Sequence, residues 1–165
     1  MPASWLPAGC QEIALPRMLP RLLRPEDLHG FRFSEGDHCR LALLSSPRDA
    51  DRRDDVGPAS TPLTIFVEVH DPMEQVPLHA HHNAAELYFV LRGQVIFHVG
   101  DRTITACGGD FVVVPEDAIH DLQNPGPGRL YLLTVLSRDA GFSEMLERGI
   151  PAPLDDEDLE VLRSL

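Results

Sequence analysis

The stretch HAHHNAAELYFVLRG, residues 79–93, is the part of the chain that decides the fold and the site. It places His79, His81 and Glu86 before a turn glycine, and a third histidine, His120, follows in a later run. Three neutral imidazoles and one carboxylate suit a divalent first-row transition metal. Four protein ligands leave positions free on an octahedral ion, where substrate or water could bind. The pattern therefore predicts an active site rather than a structural metal clip.

Length and composition limit the class of protein. At 165 residues, with 43% hydrophobic and 24% charged residues, the chain is expected to form one globular domain. The net charge of -12 argues against nucleic-acid or anionic-membrane partners, which require a basic face. The sequence has no transmembrane-length apolar run and no secretory signal, so we expect a soluble cytoplasmic protein. It also contains no lysine, which excludes lysine Schiff-base chemistry.

Short runs rich in Val, Ile, Phe and Tyr, separated by turn residues, begin at Leu63. They span residues 63–70, 76–82, 86–92, 94–99, 102–107, 110–115, 118–124 and 129–136. Runs with this spacing predict an all-β antiparallel barrel or sandwich. Gly100-Asp101 predicts a type II′ hairpin turn, because that turn needs glycine first.

The chain is expected to have three regions. Residues 1–60 are predicted to be an irregular N-terminal extension and loop packing on the barrel, with one short strand at Cys39–Leu44 and a polar surface loop at Ser45–Pro62. The barrel is expected over residues 61–137. Residues 138–165 are predicted to form a short helical tail.

Strand periodicity orients the candidate ligands. Residues i and i+2 of a strand point to the same face, so His79 and His81 are expected to hold one ion from a single strand. Glu86 opens the next strand, and Tyr88 shares its inward parity. His120 would bring the third imidazole from a separate strand. Any one of these histidines alone would be interpreted as a surface residue, but the joint pattern favours a site.

These residues resemble the two sequence motifs of the cupin superfamily. The first, G-x5-H-x-H-x3-4-E-x6-G, is matched except that Met73 stands where its leading glycine is expected. The second, G-x5-P-x-G-x2-H-x3-N, has Asp117 in place of its middle glycine. Its other positions are matched by Gly109, Pro115, His120 and Asn124. Both departures fall in turns rather than on ligands.

The resemblance covers roughly residues 60–137 and implies a double-stranded β-helix, or jelly-roll, barrel. It also implies one divalent transition metal ion (Fe, Mn, Ni or Zn) bound by His79, His81, Glu86 and His120. The tail from Gly141 is similar, more weakly, to the C-terminal extension of small quercetinase-like cupins. Alternatively, the tail covers the barrel or packs against a second subunit. Small cupins commonly pair, so a homodimer is expected.

Three functions remain open from the sequence. The first is a mononuclear metal-dependent dioxygenase-type oxidoreductase acting on a small aromatic or enolisable substrate, with Glu86 and Tyr88 as catalytic residues. The second is a non-catalytic small-molecule-binding or sensing cupin. The third is a Lewis-acid isomerase or decarboxylase. Among the other histidines, His82 is expected to point away from the ligand face and His98 to be exposed, while His70 has no partner visible in the sequence.

Overall fold

The protein is described by a computed structural model over residues 22–50 and 63–165. Its strands are β1 (Gly30–Arg32), β2 (Cys39–Ser45), β3 (Thr64–His70), β4 (Gln75–His79), β5 (Glu86–Arg92), β6 (Gln94–Val99), β7 (Arg102–Cys107), β8 (Phe111–Val114), β9 (His120–Gln123), β10 (Leu130–Leu136) and β11 (Ile150–Pro151). Its helices are α1 (Phe142–Glu147) and α2 (Asp156–Ser164), with 3-10 turns at Pro25–Asp27 and Pro47–Ala50. None of the helices in these two ranges is long and apolar enough to cross a membrane.

The strands form two antiparallel sheets whose inner faces enclose the core. The larger sheet has the order β11-β1-β2-β3-β10-β5-β8, and the smaller has the order β4-β9-β6-β7. The core between them is apolar and includes Tyr88, Val90, Phe97, Leu122 and Leu132. This arrangement confirms the predicted all-β jelly-roll barrel.

Strand β3 is buried on both of its faces. Phe66 and Glu68 lie on the inner face, while Val67 and Val69 lie on the outer face and pack with Val161 of α2. A strand covered on both sides reads as a nearly continuous apolar run rather than an alternating one. Because α2 covers the outer face of β3, the sequence of this strand does not show the usual alternation of apolar and polar residues.

Helix α2 is held on the outer face of the barrel by ion pairs as well as apolar contacts. Its buried Asp158 lies 3.1 Å from Nε of Arg40 and 2.9 Å from Nη1 of Arg129. The hydroxyl of Tyr131 donates to the same carboxylate at 3.1 Å. Asp155 caps the helix by accepting the backbone N–H of Asp158 at 3.1 Å. The buried carboxylate is therefore compensated by two arginine side chains and a tyrosine hydroxyl.

All eight predicted strands are present, with ends that differ from the predicted ones by at most three residues. The largest difference is in β4, which was expected to continue to His82 but ends at His79. Strands β1 and β2, from the predicted N-terminal extension, continue the larger sheet. Residues 1–21, and the part of the predicted polar loop at 51–62, lie outside the described residues.

Two turns explain the glycines of the sequence motifs. Met73 and Asp117, which stand at the departed glycine positions, have φ angles of 63° and 60°. This left-handed region favours glycine, so both side chains are held in a strained backbone conformation. Gly93 has a φ of 100°, and an added Cβ would lie 3.1 Å from the backbone of Leu130. Glycine is therefore required at the end of the first motif, both by the backbone conformation and by the close approach of the Leu130 backbone.

Candidate metal centre

All four predicted ligands converge inside one end of the barrel. One ligand atom from each of His79, His81, Glu86 and His120 lies within 4.8 Å of the other three. His79 ends β4, Glu86 opens β5 and His120 opens β9. The β4–β9 ladder pairs His79 directly with His120, which brings two of the imidazoles together.

The prediction that His79 and His81 share a single strand is wrong. His81 lies in the turn after β4, where its carbonyl accepts the backbone N–H groups of Asp117 at 3.1 Å and Ala84 at 3.4 Å. Asn83 in the same turn has a φ of 54°. The turn ends the strand, and yet it returns the His81 side chain to the cluster.

The distances within the cluster fit neighbouring ligands of one ion. Oε2 of Glu86 lies 3.1 Å from Nε2 of His81 and 3.1 Å from Nε2 of His120. Metal–nitrogen bonds of about 2.1 Å place adjacent octahedral ligands about 3 Å apart. The carboxylate and two imidazoles therefore already have the spacing of a metal's ligand shell.

Backbone carbonyls fix the tautomers of two ligand histidines. Nδ1 of His79 donates to the carbonyl of Pro77 at 2.8 Å, and Nδ1 of His120 donates to the carbonyl of Ala118 at 2.9 Å. A carbonyl only accepts, so Nδ1 carries the proton and the Nε2 lone pair remains for a metal. This is how metal-binding histidines are usually oriented. The donor set therefore fits a divalent transition metal.

The charges of the cluster also favour a cation. Burial alone would raise the pKa of Glu86, but the hydrogen bonds from His120 and His81 outweigh it and lower the pKa to about 2. Burial, together with the neighbouring imidazoles, lowers the pKa of His79, which keeps that ring neutral. Burial opposes a proton on His120, but its bonds to Glu86 and Ala118 prevail and raise its pKa. A metal ion would take the place of that proton.

Tyr88 adds a hydroxyl beside the ligands. Its oxygen lies 3.4 Å from Nε2 of His120, and its ring packs on Phe97 with centroids 4.8 Å apart. Burial and then the charge of Glu86 raise the pKa of Tyr88 well above its ordinary value. The hydroxyl therefore keeps its proton and acts as a hydrogen-bond donor.

A further aromatic side chain near the ligands comes from the tail. Phe142, the first residue of α1, lies edge-on to His81 with ring centroids 6.1 Å apart. It also packs on Phe66 at 4.8 Å. Its position depends on the turn at Ala140 and Gly141, whose φ angles are 45° and 87°. Sequence periodicity carries no signal for such a turn, so this neighbour was missed.

Three buried polar side chains near the site were also missed. Glu68 accepts a hydrogen bond from the hydroxyl of Thr134 and lies 2.9 Å from Nε2 of His70. The sequence showed no partner for His70, but in the structure its partner is Glu68, two residues earlier on the same strand. The sequence did contain a signal, because Glu68 is the one charged residue within the mainly apolar run LTIFVEV of residues 63–69.

The remaining histidines lie outside the cluster. His82 is exposed, as expected, and pairs with Asp117 at 2.8 Å. His98 was predicted to be exposed, but its side chain is 43% exposed and lies 2.6 Å from Asp121. The β6–β9 ladder places these two residues directly opposite each other, which half-buries the ring.

A separate cleft of about 350 Å³ is lined by residues of β1, β2 and β11 and of the segments next to them. Its lining includes Arg40 and Asp71, which pair with each other at 3.0 Å. None of the four candidate ligands lines it. The cleft is therefore distinct from the candidate metal centre.

Two antiparallel sheets enclosing three histidines and one glutamate define a small jelly-roll protein with a candidate metal centre. Residues 66–136 match the family model described as Cupin_2, a cupin domain. The matched segment of this chain, residues 66–136, is therefore a cupin domain.

Comparisons with individual proteins agree with this fold. A crystal structure from Thermotoga maritima, described as a predicted oxalate decarboxylase, superposes with a TM-score of 0.58 at 20% identity, over 70% of this chain and 97% of that one. The oxalate-binding protein of Thermotoga maritima is 29% identical over 65 residues, which are 39% of this chain and 54% of that protein. Mannose-1-phosphate guanylyltransferase 2 of Escherichia coli O157:H7 is 34% identical over 68 residues, 41% of this chain and 14% of that protein. The chain thus spans about half or less of these two curated relatives.

Proposed function

We propose that this protein is a mononuclear metal-dependent dioxygenase-type oxidoreductase acting on a small aromatic or enolisable substrate. The observation that carries the proposal is the convergence of three imidazoles and one carboxylate within 4.8 Å inside the barrel. A bound Fe, Mn or Ni ion would supply dioxygen chemistry and bind substrate oxygens, whereas Zn would supply only Lewis-acid chemistry. Four protein ligands leave two octahedral positions for the reactants.

The side chains around the ligands have separate roles in this proposal. Glu86 holds the ion and relays the proton of a substrate hydroxyl. The protonated hydroxyl of Tyr88 donates a hydrogen bond to a substrate oxygen. Phe97, packed against Tyr88, and Phe142, beside His81, form apolar walls that exclude water.

The metal site is tested by elemental analysis of two neighbouring variants. His81→Ala removes a ligand and is expected to lose metal. His82→Ala is the matched control, because that side chain is 84% exposed and pairs with Asp117 rather than the cluster. Equal metal content in the wild type and both variants would contradict the site.

The reaction class is tested by oxygen consumption. The protein loaded with Fe(II), Mn(II) or Ni(II) is expected to consume oxygen with flavonols or 1,3-diketones, and the His81→Ala variant is not. Absence of oxygen consumption with every such substrate would remove the support for a dioxygenase. Turnover without oxygen would instead indicate Lewis-acid isomerase or decarboxylase chemistry.

A second candidate function is small-molecule binding without turnover. The similarity to the oxalate-binding protein of Thermotoga maritima favours it. A ligand that the metal-loaded protein binds and releases chemically unchanged would support this function over the dioxygenase.

A further inference from the structure

Polar side chains of β5, β10 and β3 lie close together on the inner face of the larger sheet. The registers place Thr134 of β10 directly between Tyr88 of β5 and Phe66 of β3. Glu68 is the next inward residue along β3, opposite Leu132. Glu68 is 5% exposed, and a carboxylate buried among apolar side chains costs several kcal/mol unless it is compensated. This buried carboxylate is not one of the four metal ligands and therefore needs its own explanation.

The hydrogen bonds around Glu68 indicate an ionised carboxylate. The Thr134 hydroxyl donates to Oε1, and Nε2 of His70 lies 2.9 Å from Oε2. His70 is fully buried, and its Nδ1 has no hydrogen-bond partner in the part of the chain that the structure describes. An imidazolium would bury an unpaired N–H at Nδ1, whereas a neutral ring with its proton on Nε2 leaves only a lone pair there. Two neutral donors thus hold Glu68, and the group keeps a charge of −1.

The charge of Glu68 acts on groups of two other strands of the same sheet, β5 and β2. Burial and Glu86, followed by Glu68, raise the pKa of Tyr88, which stands beside the candidate ligands. Burial and then Glu68 raise the pKa of the Cys39 thiol to about 12. Cys39 lies opposite His70 on β2, so the field of Glu68 reaches both sides of its strand.

Among the described residues, the basic side chains that contact the two buried carboxylates, Glu68 and Glu86, are histidines. Within residues 22–50 and 63–165, no arginine forms an ion pair with Glu68 or Glu86. Arg40 and Arg129 are directed to Asp158 on the outer face. The chain contains no lysine. A bound cation would therefore supply positive charge that no arginine supplies to these two carboxylates in the described residues.

We propose that Glu68 is the second counter-charge of the metal centre, and that the loaded barrel consequently takes an uncharged substrate rather than a dicarboxylate or a phosphate ester. A divalent ion with three neutral imidazoles and Glu86 carries a residual charge of +1, which Glu68 brings to zero. A dianion would then add uncompensated negative charge to a low-dielectric interior, where charges interact strongly. The inference rests on the proposed function for the metal site and names its substrate class.

The test compares metal and anion binding in Glu68→Gln, which keeps the shape and an acceptor for Thr134 but removes the charge. Competition with a chromogenic chelator for Mn(II) or Ni(II) is expected to show metal affinity reduced by about 10- to 100-fold. Calorimetry on the metal-saturated proteins is expected to show oxalate bound about tenfold more tightly by the variant than by the wild type. Glu160→Gln removes an equal charge from an exposed position of α2 and is expected to change neither affinity.

Opposite changes in the two affinities distinguish a counter-charge from a structural role. Metal and oxalate affinities equal to those of the wild type would overturn the proposal, as would oxalate binding that weakens with the metal. If Glu68→Gln does not fold, the pair Glu68→Leu and Thr134→Val removes the carboxylate with its donor and suits the apolar surroundings. The same loss of metal affinity is expected there.

These measurements also separate this inference from the proposed function. The experiments measure only metal and oxalate affinity, so their results do not depend on whether the protein consumes oxygen. If His81→Ala keeps its metal, the four-ligand site is wrong, whatever the result at Glu68. If His81→Ala loses metal while Glu68→Gln binds as the wild type, only the counter-charge is wrong.

Discussion

Replacing Met73 with glycine should stabilise the protein. Met73 occupies a motif position where glycine is expected, and its φ of 63° lies in the left-handed region. A side chain there costs about 1–2 kcal/mol, because its Cβ crowds the following carbonyl oxygen. Met73 is 64% exposed, so its removal sacrifices little buried surface.

The net gain is smaller than the strain that is relieved. Glycine has more conformational freedom in the unfolded chain, which offsets about 0.5–1 kcal/mol. The free energy of unfolding should therefore rise by about 0.5–1 kcal/mol. For a chain of this size, that raises Tm by about 1–4 °C.

Urea unfolding and thermal denaturation measure this change against two control variants. Met73→Ala keeps a Cβ in the strained conformation and is expected to match the wild type. Asp117→Gly relieves a similar φ of 60° but loses the contact with His82 at 2.8 Å and the acceptor for the Asn83 N–H at 3.2 Å, so little net gain is expected. A Met73→Gly protein no more stable than Met73→Ala would refute the strain argument.

Three other predictions concern the helix, the ligands and the assembly. Asp158→Asn should destabilise the protein by about 1.5–3 kcal/mol, because Arg40 and Arg129 lose charged hydrogen bonds to a buried carboxylate but keep Asp71 and Asp155 as partners. Glu160→Gln on the same helix should have little effect, and equal urea midpoints for the two variants would contradict this. Bound metal should be released as the pH falls from about 6 to 4, since Glu86, with a pKa of about 2, stays ionised while protons compete for the imidazoles. Full metal occupancy at pH 4 by elemental analysis would count against histidine ligation. The protein should be a homodimer, and light scattering that shows a monomer at micromolar concentration would contradict that.

The sequence predicted the barrel well because most strands have one apolar face and clear turns. Strands β5, β6 and β7 begin and end at the predicted residues, and each of the three is followed directly by a glycine. The hairpin at Gly100 has the positive φ that its glycine indicated. Local chemistry was sufficient wherever neighbouring strands are joined by short turns.

The site was predicted less completely, because strand parity describes only residues within a strand. It placed Glu86 and Tyr88 correctly on the inner face of β5. It misplaced His81, whose turn depends on a backbone bond from Asp117, 36 residues further along the chain. Motif spacing still placed His81 among the candidate ligands, since spacing reflects the whole turn and not a regular strand.

The groups that would select a substrate are the hardest to predict from sequence. Phe66 and Glu68 face inward, while α2 covers the outer face of β3, where Val67 and Val69 pack with Val161. A run buried on both faces has no alternation, so its inward residues cannot be assigned from periodicity. Ligands alone are compatible with oxalate, sugar phosphates or neutral enols, whereas a second buried carboxylate distinguishes among them by charge. In the counter-charge proposal, the side chain that would set the substrate class is Glu68, which lies outside the metal-binding motif.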